Sequence, residues 1–189
     1  MLTVPTLLLA TIIASMAAYG LTIMKKGPQN RILSGYAVLS LLPVQMLLVP
    51  QLIALSNLDL KGSRLAVILI GSFTPWYLFF LHRLCRRVPD GVFEMARIEG
   101  AGEWTIFRKI ALPQMRLGIL IFGIIVSADL WSMVEEPLVY IQDITKYPLS
   151  VFFSEAKVSV SYAGAAIFSL PVVLLFINGI QIVLEREET

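Results

Sequence analysis

Five apolar blocks of about twenty residues punctuate this chain, at residues 2–24, 32–56, 65–84, 117–134 and 163–184. A helix of that length matches a hydrocarbon core roughly 30 Å thick. Only 15% of the 189 residues are charged, against about 25% in a soluble domain, and the mean hydropathy is +0.80. The chain cannot cover itself with water. The expectation is an all-α, polytopic membrane helix bundle of about five transmembrane helices, one domain over residues 1–189, with membrane lipid as its first partner. No charge precedes Lys25, so the basic region that opens a cleavable signal is lacking. The chain is expected to enter the bilayer almost at once from Met1.

Side is assigned by lysine and arginine. The connections after the first and third blocks and the final tail, together with Arg83 at the end of the third block, hold eleven of the fifteen; the alternate connections hold only Lys61, Arg64, Lys146 and Lys157. The positive-inside rule places the eleven in the cytoplasm and Met1 outside. The single cysteine, Cys85, has no disulfide or metal partner and reads as a small residue at a helix end. His82, the one histidine, ends the third block and reads as a headgroup-level residue.

Within the blocks, several residues stand out. Ala10, Ala14 and Ala18 recur every fourth position and give one helix face for close approach. Pro43 and Pro50 interrupt the second block, each removing a helix hydrogen bond. Gln45 and Gln51 lie beside them, in either a kinked packing helix or a pathway-lining segment. Asp129 is the one carboxylate well inside an apolar block, which makes it a candidate pathway residue. Trp131 two positions on equally suits a boundary position.

The polar island is residues 89–113, PDGVFEMARIEGAGEWTIFRKIALP. Asp90 suits a helix N-cap, Glu94 a first turn, and the helix should run to about Glu99. Gly100-Ala101-Gly102 permits a tight reversal. A second helix should start near Glu103, with Trp104, Phe107 and Ile110 or Ala111 on one face. Pro113 suits the first turn of the next span. Physics alone leaves two readings: an amphipathic pair on the headgroups, or a docking surface for a soluble partner.

The run Glu94-Met95-Ala96-Arg97-Ile98-Glu99-Gly100-Ala101, continued by Glu103-Trp104, Phe107, Ile110 and Leu112-Pro113, resembles the EAA loop of ABC importer permeases. The pattern is matched at Glu94, Ala96, Gly100, Ile110, Leu112 and Pro113. It departs at Met95, usually alanine, and at Glu99, commonly aspartate. Pro43, Gln45 and Pro50, with Trp131, Ser132, Glu135 and Pro137, resemble the second permease of the carbohydrate branch, where asparagine is more usual than Ser132.

The resemblance implies a type I importer permease fold in the cytoplasmic (inner) membrane of a prokaryote. It implies a coupling helix seated in a cytoplasmic ATPase dimer, with docking residues Glu94, Ala96, Arg97, Gly100, Ala101, Trp104 and Phe107. Glu94 would be the polar anchor, and Trp104, Phe107 and Ile110 would pack onto the bundle. A homologous second permease and an extracellular solute-binding protein are the further partners, and no nucleic acid is expected. The solute would be a sugar or oligosaccharide, with Gln45 and Asp129 as candidate pathway contacts. No phosphate loop of the G-x-x-x-x-G-K-[ST] type occurs, so ATP would be bound by the partner ATPase, and the chain would need no cofactor and perform no catalysis. The family usually carries six spans, so a first N-terminal span is expected to be missing here. A self-contained secondary transporter or channel is the alternative, but no inverted repeat is visible. A membrane-embedded enzyme finds no HExxH or serine–histidine motif to support it.

Overall fold

The structure is a computed structural model that describes residues 2–155 and 158–187, all in helices, turns and loops without a strand among the described residues. The helices are α1 (Thr3–Ile23), α2 (Lys26–Ser40), α3 (Val44–Asn57), α4 (Arg64–Gly71), α5 (Pro75–Cys85), α6 (Asp90–Ile98), α7 (Glu103–Ile106), α8 (Leu112–Ser132), α9 (Glu135–Tyr140), α10 (Leu149–Glu155) and α11 (Val158–Glu187). A π-helical turn, Phe107–Ala111, joins α7 to α8, and a 3-10 turn, Ile144–Lys146, lies between α9 and α10.

Among the described residues, α1 and the run Glu103–Ser132 are each long and apolar enough to cross a membrane. The pairs α2 with α3 and α4 with α5 qualify only as broken spans, and α11 contains the shorter apolar stretch Ala166–Gln181. The second block is therefore not the kinked helix its composition suggests. It stops at Ser40, and Pro43 becomes the residue that caps α3, because proline fixes its own φ and bars the preceding residue from the helical region. Pro50 stays inside α3. Pro75 likewise opens α5, after Thr74 leaves the helical region. At Pro113 the chain finds another solution. The proline ring would collide with the carbonyl four residues earlier, and that carbonyl belongs to Lys109, inside the widened π turn.

The chain divides into two compact units. One comprises Ala10–Leu42 and Phe73–Gly123; the other comprises the residues up to Leu9, Pro43–Ser72 and the chain from Ile124 onward. In the first unit Ala10, Ala14 and Ala18 are all buried, as their spacing predicts. Thr11 Oγ1 lies 3.2 Å from the Tyr77 hydroxyl. His82 Nδ1 lies 3.2 Å from Thr22 Oγ1 and 3.3 Å from the Ala18 carbonyl. His82 is thus buried against α1 rather than set among headgroups. Cys85 is fully buried one turn further along α5. Gln29 donates to the Leu21 carbonyl at 2.6 Å and accepts from Arg86 Nη1 at 3.2 Å, adding a second donor to a carbonyl at the end of α1 that also takes the Met24 N–H at 3.3 Å.

The second unit has its core at Leu2, Leu55, Ala66, Val67, Tyr140 and Ile141. Ser63 caps α4 by accepting the Ala66 N–H at 3.2 Å, and the Gly62 N–H donates to the Tyr140 carbonyl at 2.9 Å. The Tyr140 hydroxyl donates to Gln51 Oε1, so Gln51 is committed to structure.

Candidate functional site

The polar island folds as a helical hairpin in the first unit. α6 is capped by Pro89 without a side-chain bond. Asp90 is its first helical residue and supplies the only carboxylate of the first turn. That corrects two expectations: Asp90 is not the cap, and Glu94 falls a turn too late to serve the dipole. α6 ends in two bonds, the Gly100 N–H to the Arg97 carbonyl at 2.9 Å and the Ala101 N–H to the Ala96 carbonyl at 3.0 Å. This 5→2, 6→1 pair is a Schellman motif. It demands a left-handed residue, and Gly100 has φ +85.

An aromatic clasp seats the hairpin. Phe93 is 2% exposed and Phe107 6%, and both pack on Tyr19 of α1, with ring centroids 5.9 Å and 5.7 Å from it. Each such pair adds about 0.5–1.5 kcal/mol beyond the area buried. The Tyr19 hydroxyl donates to Glu103 Oε2. Arg97 Nε donates to Glu103 Oε1 at 2.6 Å, and its Nη2 donates to Oε2 at 3.3 Å. Glu103 therefore ties both helices of the hairpin to α1. The hydrogen bond to Glu103 pushes the Arg97 guanidinium above its ordinary value, so this brace keeps its positive partner at every accessible pH.

The opposite face carries large apolar side chains in solvent. Met95 is 63% exposed, Ile98 86% and Trp104 62%. Val92, Met95 and Ile98 follow one another at three-residue steps along one face of α6, with Glu94 and Glu99 exposed beside them. Ala96 and Ala101 are half-buried under the turn, and Gly100 is exposed. The docking set thus separates. Phe107 is a buried root and offers no surface. Trp104, expected to pack inward with it, stands outside, its ring tilted against Phe107 at 5.4 Å.

The two pathway candidates lie apart from this hairpin and meet different fates. Gln45 Nε2 donates to both oxygens of Glu135, at 3.0 and 2.9 Å, on an exposed surface of the second unit. Asp129 is exposed on α8. Glu136, which no sequence motif marks, is half-buried. Burial pushes its carboxyl above the ordinary 4.5, and the charges of Glu135 and Asp129 push it the same way, against its own backbone N–H. An acid with a raised folded-state value binds its proton more tightly folded than unfolded. Its contribution is complete below the ordinary value and is lost as pH rises through the raised one. Glu136→Gln should therefore raise the melting temperature at pH 7.5 and leave it unchanged near pH 4. Equal melting curves at both pH values would show that Glu136 is solvated.

Residues 2–186 match the family described as binding-protein-dependent transport system inner membrane component. The chain belongs to that family. Within this inner membrane component family, it is 30% identical to a probable ABC transporter permease protein of Pyrococcus horikoshii, over 76% of this chain and 53% of that protein. It is 29% identical to the diacetylchitobiose uptake system permease protein of Streptomyces coelicolor, over 92% of this chain and 56% of that one. An arabinooligosaccharides transport system permease protein of Halalkalibacterium halodurans is 25% identical, over 89% and 63%. This inner membrane component thus spans little more than half the length of those relatives. Its fold matches a chain in the crystal structure of a bacterial ABC transporter involved in the import of the acidic polysaccharide alginate. That match has a TM-score of 0.73 at 17% identity and covers 96% of this chain and 68% of the other.

Proposed function

We propose that the chain is the integral-membrane permease subunit of an ATP-binding-cassette importer that carries a sugar or oligosaccharide across a prokaryotic cytoplasmic membrane. The observation that carries this reading is the hairpin, clamped to α1 through Tyr19 yet offering Met95, Ile98 and Trp104 to solvent. A rigid element with an exposed apolar ridge is what a soluble partner can seat on and push. In this reading the push comes from a separate ATPase pair. A second permease would complete the pathway, and a binding protein would deliver the solute. The oligosaccharide permeases among its relatives support the solute class, and the Gln45–Glu135 pair offers hydrogen-bonding groups of the kind that sugar hydroxyls meet.

In this role Glu94 anchors the ATPase, Ala96, Gly100 and Ala101 let its surface approach, and Arg97 acts indirectly by bracing Glu103. Reversing charge with Glu94→Lys, or filling the turn with Gly100→Trp, should weaken ATPase co-purification at least tenfold and stop uptake, with the protein still in the membrane. Tenfold is about 1.4 kcal/mol, the scale of one lost charged contact. Undiminished association and uptake in both variants would remove the docking role.

A further inference from the structure

On the topology expected from the sequence, positive charge is scarce outside: the connections there hold only Lys61, Arg64, Lys146 and Lys157. Two of those four, Arg64 and Lys146, line one cleft of about 230 Å³ within the second unit. Arg64 Nε donates to the Lys146 carbonyl at 3.3 Å, which ties Arg64 to the backbone that carries Lys146. Lys146 Nζ lies 3.3 Å from Asp143, whose carboxylate also accepts the Thr145 N–H and hydroxyl. Among the described residues Arg64 enters no ion pair, so two cations face one carboxylate and the cleft is net positive.

Its other walls are mostly apolar and aromatic, with Leu130, Trp131, Tyr147, Leu149 and Phe168 beside the hydroxyl residues Thr3 and Ser150. Trp131 is held there, its ring stacked on Phe168 at 5.3 Å and its Nε1 donating to the Phe168 carbonyl at 3.0 Å. The volume is below the roughly 300–1,000 Å³ of sites that enclose a whole small molecule, so it suits one end of an amphiphile. Tryptophan and tyrosine favour the headgroup level, and basic pockets between helices bind anionic headgroups.

We propose that this cleft holds the phosphate headgroup of one anionic phospholipid of the outer leaflet, with Arg64 and Lys146 on the phosphate and the Trp131–Phe168 wall against the glycerol and first methylenes. The side of the membrane follows from the topology of the permease reading. Lipid retention is measured without ATPase, ATP or solute, so its failure and the failure of that reading are separate results.

The test is native mass spectrometry of the full chain purified in detergent and offered dioleoyl phosphatidylglycerol or dioleoyl phosphatidylcholine. One phosphatidylglycerol should be retained in preference to phosphatidylcholine. Arg64→Gln or Lys146→Gln should each lower that retention about fivefold, the effect of one cation at a lipid surface, whereas Lys61→Gln should not. The charge-keeping pair Arg64→Lys with Lys146→Arg should retain the lipid, which separates lost charge from lost folding. Equal retention of the two lipids by the unaltered chain overturns the proposal. So does displacement by millimolar inorganic phosphate, which makes the cleft a free-anion site, or by a neutral oligosaccharide, which makes it a solute site.

Discussion

Phe107→Ala should lower stability by about 3–5 kcal/mol, the usual cost of deleting a buried phenyl ring, and should abolish uptake. The ring is buried against Tyr19, and its loss leaves Tyr19 with Phe93 alone as an aromatic partner for the hairpin. In the proposed role, a hairpin unseated from α1 would meet the ATPase without passing on its push. The check is a melting curve in detergent beside a tryptic time course, since Arg97 and Arg108 become open to cleavage once the clasp fails. Trp104→Ala is the informative partner. Its ring lies outside, so stability should stay within about 0.5 kcal/mol while ATPase association falls. A Phe107→Ala variant that melts like the unaltered chain would show that the clasp does not seat the hairpin.

Ala18→Leu should cost about 1–3 kcal/mol through overpacking. Ala18 is fully buried, and its carbonyl accepts the Thr22 hydroxyl at 2.8 Å with His82 Nδ1 3.3 Å away. A longer side chain forces α1 away from its neighbours, and His82 then loses its buried contacts with α1. The exposed neighbour Met16, changed to leucine, should leave the melting curve and the yield of monodisperse protein unaltered. Equal behaviour of the two variants would mean that the alanine face is not packed.

The elements that sequence revealed were those whose cause is local. Block length exposed the spans, and the four-residue alanine step named the packed face of α1. Gly100 announced its left-handed turn because only glycine adopts it without strain. The clasp was not legible, because Tyr19 lies 84 residues before Glu103 and nothing local to either records the pairing. Phe93 went unremarked for the same reason. Trp104 and Phe107 looked alike, since a short aromatic stretch shows a face without saying which ring turns inward. A proline in an apolar block signals a disturbance but not its form: Pro43 breaks a helix, Pro50 sits within one, and Pro113 follows a π turn. Gln51 and Gln45 were indistinguishable by position, yet one is bonded to Tyr140 and the other to Glu135.

The burial of Cys85 has a practical consequence. The chain's only thiol is closed to solvent, so a maleimide dye has nothing to react with on the folded surface. A cysteine placed at Ile98 or Trp104 would be the sole accessible thiol on a natural, otherwise unlabelled background. One dye there would report directly on whether the ridge is bare or covered, without first stripping the protein of its own cysteine.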